Sequence, residues 1–343
     1  MYPHDDDDDN PFSKLYDKLG YKRPKKDPPH DKPKDPPTYE ATRSTYTLPR
    51  HCVPADTLKC LGNTPKSENF HLHFNRLVFI YNDKIGNLSS EAGQDHRGRP
   101  IQKLIPTHPT GKEIAETGKI AERVWQLAQK MSDHTQKLIM HPEWRFITGL
   151  GGESVYETSI SLHHIYGIPY ISASSLKGLV RSWIILNKYD NKEELAICDD
   201  SFIDLFGCPD QILKVKSDGK KEIFKSRYGG ELGVSRKGNI VFFDTFPTKQ
   251  QTIEADIMNP HYPKYYGGGN WPTDTQSPIP VLFLTVAKDT PFQFTFGYRK
   301  ATEHTAFGNG EQMVQEIKKY LREALTQHGI GAKTAVGYGY MKE

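Results

Sequence analysis

The carboxyl-terminal segment constrains the fold of this chain most, because four glycines lie within its last fifteen residues: Gly329, Gly331, Gly337 and Gly339. Glycine has no Cβ and tolerates positive φ, so such a segment bends sharply and lies close to a bulky neighbour. Gly329 fits the residue that ends a preceding helix. The other three glycines need a further reason, and we expect the segment to pass close to another backbone or to a ligand.

A second distinctive segment, Tyr166–Arg181, ends in Ser-Ser-Leu-Lys-Gly-Leu-Val-Arg. Apolar residues at i, i+3, i+4 and i+7 predict an amphipathic helix here. These residues are Leu176, Leu179, Val180 and Trp183. Ser172 or Ser174 is suited to cap the amino terminus of this helix with a side-chain oxygen.

The cations of the predicted helix point to an anion. Lys177 falls in the first turn, where the helix dipole disfavours positive charge, and an anion bound at the same terminus would remove that conflict. Arg181 follows one turn later on the same face. Gly178 lowers helix stability by about 1 kcal/mol, which the close approach of another backbone would explain. Two interpretations stay open: a solvated basic pair or, with Ser174 and Ser175, a site for a phosphate backbone.

The tail also contains Gly331-Ala332-Lys333-Thr334, which superficially matches the end of a loop that binds nucleoside triphosphates. Ala332 stands in place of the glycine before the lysine, and Gln327 in place of the first glycine. The segment follows a predicted helix and precedes a predicted strand, the reverse of the order that such a loop needs. We therefore expect no ATP or GTP site, and the sequence indicates no cofactor and no metal.

Both segments resemble signatures of the RAMP superfamily (repeat-associated mysterious proteins), the RNA-binding subunits of CRISPR effector complexes. Gly167–Arg181 is similar to the family segment G-x-P-Y-I-P-G-S-S-L-K-G-x-x-R, although Ser172-Ala173 stand where the family has Pro-Gly. Gly329–Tyr340 is similar to the glycine-rich loop and strand at the family's end. Within the superfamily, the chain most resembles the sixth-subunit family of the Cmr, or type III-B, complex. Three further segments carry that likeness: Leu205–Gly207, Gly238–Pro247 and Asp256–Tyr262.

The resemblance implies a subunit that caps one end of an antiviral ribonucleoprotein and holds the 3′ region of its guide RNA by backbone and shape, while base pairing reads the sequence. The implied partners are guide (CRISPR) RNA, target RNA, and the backbone, small and 3′-end capping subunits of the Cmr complex. Tyr338 and Tyr340 flank Gly339 and either stack on bases or pack in the core. The residues that we expect to bind RNA are Ser174, Ser175, Lys177, Arg181, Gly329, Gly331, Lys333, Thr334, Gly337, Tyr338 and Gly339.

Catalysis is not expected from this chain. A metal-independent ribonuclease needs a general base and a general acid beside a cationic group, and the best candidates are His163 and His164. Adjacent residues of a strand point to opposite faces, so at most one histidine would reach a site. The resemblance assigns target cleavage to an aspartate in the loop after the first strand of a neighbouring subunit. The corresponding stretch here, Gly149–Tyr170, contains no aspartate, and its acidic residues are Glu153 and Glu157. A metal-independent endoribonuclease that processes guide RNA stays open as the alternative.

The coarse order of elements in the family-like region is β-α-β-β-α-β, the ferredoxin-like (RRM-like) arrangement within an α+β fold. The predicted strands are Trp144–Leu150, Asn239–Thr245, Pro291–Arg299 and the glycine-rich tail. One predicted helix begins at Ser174 and the other after Gly310, with a core face of Met313, Val314, Ile317, Leu321 and Ala324. Upstream, alternation from Phe70 predicts a strand, and a helix with a core stripe is predicted over Glu113–Met140.

The domain organisation follows from composition and pattern. Residues 1–66 are rich in proline, lysine and aspartate, a composition typical of a disordered extension. Residues 67–343 form the predicted RAMP domain. Within it we expect a helical insertion at 111–140 and loop or thumb insertions at 190–238 and 259–280.

Charge and cysteine usage are typical of a soluble cytoplasmic protein. The net charge of +3 is only mildly basic, so RNA binding has to come from local groups rather than from an overall field. Four cysteines without a C-x-x-C pair indicate neither a zinc ribbon nor a redox site. No apolar run reaches the length of a membrane span, and we expect no membrane partner.

Overall fold

The aromatic segment Phe292–Tyr298 forms the centre of the main sheet in the computed structural model of this chain. Phe292, Phe294 and Phe296 alternate along it and are fully buried, because a period of two places them on one face of the strand. Gln293 points to the other face, where its amide donates a hydrogen bond of 2.8 Å to the carbonyl of Ala121. Both faces of this strand are therefore covered.

The structure describes residues 50–51, 53–61, 69–76, 79–81, 84–85, 112–154, 158–215, 219–227, 235–259, 271, 273, 281–300, 306 and 309–343. All of them belong to one structural unit, Leu48–Glu343. The helices within these ranges are α1 (Ala55–Leu61), α2 (Phe70–Asn75), α3 (Lys112–Met131), α4 (Ala173–Lys188), α5 (Glu193–Ala196), α6 (Asp200–Phe206) and α7 (Gly310–Gln327), with a 3-10 turn at Thr334–Val336. None of these described helices is both long and apolar enough to cross a lipid bilayer.

The strands of the same ranges pair throughout in antiparallel fashion. They are β1 (Arg50–His51), β2 (Phe79–Tyr81), β3 (Lys84–Ile85), β4 (His134–Pro142), β5 (Gly207–Cys208), β6 (Gln211–Val215), β7 (Lys221–Lys225), β8 (Arg236–Lys237), β9 (Ile240–Phe242), β10 (Phe246–Pro247), β11 (Ile253–Met258), β12 (Val281–Val286), β13 (Phe292–Tyr298) and β14 (Met341–Lys342). Mixed helices and antiparallel sheets confirm the predicted α+β class.

The main sheet has the order β10-β13-β4-β14, and β9 also pairs with β13. Helices α4 and α7 lie over one face of this sheet and supply 12 of the 28 buried residues of the principal core. The predicted apolar faces of both helices are confirmed, since Leu176, Val180, Met313, Ile317 and Leu321 are all buried. Helix α3 packs against β13 and β10. The sheet thus holds α4 and the segment after α7 side by side.

The carboxyl-terminal loop crosses over the segment that follows β4, with very little space between the two backbones. Ala332 donates to the carbonyl of Ile147, and Gly339 donates to the carbonyl of Arg145, at 3.0 and 2.8 Å. Gly331 has φ +94°, and a Cβ there would lie 2.1 Å from the oxygen of Ile147. Gly339 has φ +76°, and a Cβ there would lie 1.9 Å from the oxygen of Ile330. The sequence prediction of a close backbone approach at these glycines is confirmed.

Before the family-like region, one predicted element is wrong and another is confirmed only up to Met131. Phe70–Asn75 is a helix rather than a strand, because Asn69 caps it by accepting a hydrogen bond from the amide of Leu72. The helix predicted over 113–140 ends at Met131, and the central strand β4 follows from His134. Neither glycine nor proline lies between Met131 and His141, so the usual helix-ending signal was missing.

The predicted first strand, Trp144–Leu150, is also wrong: only Phe146 makes an isolated bridge, to Val286. The positive φ of Gly149, +72°, breaks any regular extension there. The strand predicted in the tail is confined to β14, after the glycines.

The structure describes only parts of the predicted extension and of the predicted insertions. Inside the predicted extension 1–66, the described parts form β1 and α1, and the acidic run Asp5–Asp9 lies outside the described residues. The segment 190–238 contains α5, α6 and a β6–β7 hairpin, because Gln211–Val215 and Lys221–Lys225 alternate as strands do. Most of 259–280 lies outside the described residues.

A buried ion pair joins α6 to β8 within the segment 190–238. The guanidinium of Arg236 lies 2.5 Å from a carboxylate oxygen of Asp204, with side-chain exposures of 9% and 0%. The other carboxylate oxygen accepts the backbone N–H of Ala306. Burial raises the pKa of Asp204, and Asp200 adds to that effect, whereas the Ala306 amide and Arg236 oppose it.

We predict that Arg236→Ala lowers the free energy of unfolding by about 3–5 kcal/mol, because it leaves the Asp204 carboxylate buried and unpaired. Chemical denaturation of the full chain measures this. The double variant Arg236→Met with Asp204→Asn removes both charges and should recover at least half of the loss. A cost below about 1 kcal/mol for the single variant would contradict the assignment of a buried pair.

We predict that Gly331→Ala and Gly178→Ala change stability in opposite directions. Alanine at position 331 meets the Ile147 carbonyl and requires a strained positive φ, which costs about 1–3 kcal/mol from the backbone conformation alone. Alanine at Gly178 of α4 meets no atom within 4 Å and should stabilise the helix by up to about 1 kcal/mol. Thermal unfolding of the two variants checks this, and equal shifts would contradict it.

Candidate nucleic-acid interface

The first turn of α4 carries a cluster of three serine hydroxyls. Ser172 is the N-cap, as predicted, and its Oγ accepts a hydrogen bond from the amide of Ser175. The same oxygen lies 3.0 Å from the hydroxyl of Ser174 and 2.9 Å from that of Ser175. Ser174 and Ser175 are exposed, so two of the predicted RNA-binding residues present hydroxyls to solvent at this turn.

An internal carboxylate already occupies the end of this helix. Asp244 accepts a hydrogen bond of 2.7 Å from the amide of Ala173, and the backbone bridge between Ile171 and Thr245 brings it there. Asp244 supplies negative charge at this terminus, so the position of Lys177 in the first turn does not by itself call for an external anion. The signal available in the sequence was an acidic residue directly after an apolar strand, within the family-like segment Gly238–Pro247.

The two predicted cations of α4 lie away from this serine face. Lys177 is half-buried, and its pKa is lowered by burial and by the positive charges of Arg181 and Lys237. Arg181 forms an ion pair of 2.5 Å with Glu193, and its guanidinium lies 5.3 Å from the centroid of the Phe202 ring. Because a helix turns about 100° per residue, Lys177 and Arg181 share a face that differs from that of Ser175 and Gly178.

The backbone N–H groups of the glycine-rich loop fall into two sets, those that donate to an acceptor within the protein and those that do not. Gly329 ends α7 with φ +75° and donates to Ala324, as a helix-terminating glycine does. Gly337 donates to Thr334, and Gly339 donates to Arg145. Ile330, Ala332, Val336 and Tyr338 also donate to internal carbonyls. Among the residues that the structure describes, no acceptor binds the N–H groups of four other positions of the loop. These positions are Gly331, Lys333, Thr334 and Ala335.

The serine face of α4 and the glycine-rich loop form the two walls of one groove, the central groove, with a volume of about 500 Å³. The α4 wall consists of Ser172, Ser175, Gly178, Leu179 and Ser182, and the loop wall of His328, Gly329, Ile330, Gly331, Ala332 and Thr334. The floor consists of Phe146, Thr148, Gly149, Ser161 and Ile171. Residues from two segments that are distant in the sequence thus converge in one groove.

Gly178 and Ser182 extend the small-residue face that begins at Ser175. The absence of side chains at Gly178 leaves the groove open, since a Cβ there would meet nothing within 4 Å. The expected close approach of another protein backbone to Gly178 is therefore wrong. Spacing of small residues at i, i+3 and i+7 was the sequence signal that could have identified this wall.

The predicted residues at the end of the loop have structural roles. Tyr338 is buried, its ring lies 4.6 Å from that of Trp144, and its hydroxyl donates a hydrogen bond of 2.7 Å to Asp256. Burial and Asp256 together raise the pKa of Tyr338 to about 12. Arg145 also binds Asp256. These contacts support the core interpretation of Tyr338 rather than the base-stacking one.

Lys333 has left-handed backbone geometry, with φ 59°, and its ammonium lies 5.9 Å above the ring of Phe283. It lies in the loop but does not line the groove. Lys177, Arg181, Gly337 and Tyr338 also lie outside the central groove. Ser175, Gly329, Gly331 and Thr334 are the predicted residues that line it.

His163 and His164 lie in a tight turn, closed by a hydrogen bond from Gly167 to His163. Their rings stack with centroids 5.0 Å apart, so the prediction that they face opposite sides is wrong. Nδ1 of His163 accepts the amides of Ile165 and Tyr166 at 3.3 and 3.4 Å. Burial and His164 lower the pKa of His163. Within the described part of the chain, no group of three or more His, Cys, Asp or Glu side chains comes together to hold a metal ion.

Comparisons with known proteins place this geometry in a family. The family model named RAMP superfamily matches residues 143–342. The CRISPR system Cmr subunit Cmr6 of Pyrococcus furiosus is 30% identical over 344 aligned residues, which cover 83% of this chain and 98% of that protein. The CRISPR system CMR subunit Cmr6 of Saccharolobus solfataricus is 25% identical over 192 residues, which cover 54% of this chain and 49% of that protein.

Solved structures also match the chain. The crystal structure of Cmr6 from Pyrococcus furiosus is 30% identical, covers 61% of this chain and 98% of that chain, and gives a TM-score of 0.32. A cryo-EM structure of the type III-B Cmr-beta bound to cognate target RNA contains a chain that is 20% identical. That match covers 71% of this chain and 69% of the other, with a TM-score of 0.49. On the superfamily match and the similarity to the Pyrococcus protein, this chain belongs to the RAMP superfamily and, within it, to the Cmr6 family of CRISPR subunits.

Proposed function

We propose that this chain is a non-catalytic RNA-binding subunit of a type III-B CRISPR effector complex, that it caps one end of the assembly, and that it holds the 3′ region of the guide RNA. Its partners in this proposal are guide RNA, the target RNA that pairs with it, and the other Cmr subunits in the cytoplasm. The observation that carries the proposal is the central groove, formed in a member of the Cmr6 family by a serine face and a glycine-rich loop.

The chemistry of the central groove suits a sugar–phosphate backbone. The loop offers backbone N–H groups at Gly331 and Thr334, and α4 offers the hydroxyls of Ser175 and Ser182. Main-chain amides and hydroxyls bind phosphate and ribose oxygens and carry no sequence information. Such a surface holds a guide strand of any sequence and leaves recognition of the target to base pairing.

The order of the main sheet supports a ferredoxin-like core, which we propose as the finer description of the fold. Strand β14 lies beside β4, β4 beside β13, and β13 beside both β9 and β10. Numbered along the chain, this is the order 4-1-3-2, with α4 and α7 as the two crossover helices. The β-α-β-β-α-β order is the one that defines ferredoxin-like proteins.

The side chains around the groove support a role without catalysis. Among the described residues that line the groove, His328 is the one with an imidazole, and no Asp, Glu or Lys of that set lines the groove with it. General acid–base cleavage of RNA needs two such groups. The imidazole of His163 is held by backbone amides and by stacked rings.

We predict that Gly178→Glu lowers the affinity for single-stranded RNA at least about tenfold, because it places bulk and negative charge in the central groove opposite the phosphates. Gln129→Glu, on the exposed face of α3, adds the same charge elsewhere and serves as the matched control. Fluorescence anisotropy with labelled RNA of unrelated sequences measures both. Equal affinities for the two variants would rule out the groove as the binding site.

We predict that the wild-type chain does not cleave guide RNA and that His163→Ala with His164→Ala leaves RNA binding unchanged. The measurement is gel analysis of labelled RNA precursor incubated with each protein, alongside the anisotropy assay. Cleavage by the wild-type chain that disappears in the double variant, with binding retained, would establish the endoribonuclease alternative and overturn the non-catalytic assignment.

A further inference from the structure

A second cavity adjoins the floor of the central groove. Gly149 and Ser161 line both the central groove and a second cavity of about 660 Å³, which we call the second basin. Their backbones touch: Ser161 donates to the carbonyl of Thr148 at 2.9 Å, and a Cβ on Gly149 would lie 2.7 Å from the Ser161 amide. The two cavities share these residues and therefore adjoin each other, and we call the pair the channel.

Helix α2 supplies the outer wall of the second basin through His71, Asn75 and Arg76. This helix lies outside the residues that match the superfamily, 143–342. It is nevertheless firmly attached to them. The Asn69 side chain donates to the carbonyls of His164 and Ile165 at 3.0 and 2.9 Å.

The attachment of α2 is also apolar. Phe70 and Phe74 are buried in a cluster with Ile160, Leu162, Ile253 and Leu284. A Cβ on Gly167 would lie 2.6 Å from the Phe70 amide, so the two backbones are in direct contact. The second basin is therefore a preformed feature of the fold, and its wall is not a loosely placed segment.

The charge of the second basin rests on Arg76 and Glu153. Both side chains are exposed, and within the described part of the chain Arg76 has no ion-pair partner. Burial, Arg76 and His164 lower the pKa of His71, which favours the uncharged form of this imidazole. Arg76 is thus the cation that the basin offers to an anion, and Glu153 is the charge that opposes it.

The opposite end of the central groove differs in its electrostatics. There Ser182 and His328 lead to a cavity that Arg181 and Lys214 line. Both of those cations are neutralised within the protein, Arg181 by Glu193 at 2.5 Å and Lys214 by Glu194 at 2.7 Å. Of the two continuations of the groove, the second basin is the one with a cation available to bind a phosphate.

We propose that the RNA strand held in the central groove continues over Gly149 and Ser161 into the second basin, where the guanidinium of Arg76 binds a backbone phosphate. This proposal rests on the proposed function of the central groove and extends it to a site on α2. Arg76 forms bidentate, charge-assisted hydrogen bonds to phosphate oxygens, and Asn75 and Ser154 offer further polar contacts along the basin.

The test uses the full-length chain and two single-stranded RNAs, of about 4 and about 16 nucleotides, the ends of the range that single-stranded grooves accommodate. Arg76→Gln should weaken binding of the long RNA about fivefold, the loss of one charge-assisted contact. It should also reduce the slope of log affinity against log salt by about 0.7. Binding of the short RNA should be unchanged.

Two further variants sharpen the result. Glu153→Gln removes the opposing charge and should strengthen binding of the long RNA, whereas Lys130→Gln, exposed on α3 and outside the channel, should change neither RNA. Equal effects of Arg76→Gln and Lys130→Gln on the long RNA overturn the proposal, as does an equal loss for both RNAs. Failure of the proposed function has a different signature: wild-type protein binds neither RNA, or Gly178→Glu leaves both affinities intact.

Discussion

The candidate interface depends on one backbone contact, the crossing of the carboxyl-terminal loop over the segment after β4. Hydrogen bonds from Ala332 to Ile147 and from Gly339 to Arg145 hold the two segments together. The short distance between them leaves no space for a Cβ at Gly331, and the carbonyl of Ile330 within the loop leaves none at Gly339. Since this crossing fixes the loop beside α4, it also sets the width of the central groove. In this loop, the backbone N–H groups of Gly331, Lys333, Thr334 and Ala335 have no acceptor among the described residues.

Sequence patterns identified the parts of the fold in which the apolar residues follow a single helical spacing. The buried faces of α4 and α7 followed from apolar spacing, and the Ser172 cap and the helix end at Gly329 followed from local chemistry. The failures have physical causes as well. Strand β4 follows α3 with only Ser132 and Asp133 between them, so its short alternation was absorbed into the helical pattern. Helix α2 is set by a cap and by tertiary packing of Phe70 and Phe74, which an alternating hydropathy does not reveal.

The candidate site was predictable in its main chain but not in its charges. Glycines have few uses besides close approach and positive φ, so their position was informative. The partners of Lys177 and Arg181 depend on which remote acids fold next to them. Asp244 and Glu193 lie far from one another in the sequence, yet each satisfies a group on α4. From the sequence of α4 alone, an external anion was a reasonable partner for these groups, whereas the structure gives them carboxylates of the protein itself.

The use of main-chain donors in the loop has an evolutionary consequence. A side chain that binds phosphate is lost by a single substitution, whereas a peptide N–H stays in place whatever residue carries it, proline excepted. Selection need only keep the small residues that let the loop turn, and the rest of the surface is free to diverge. Under the proposed function, a chain of this fold can thus diverge in its side chains and keep the main-chain groups that bind RNA.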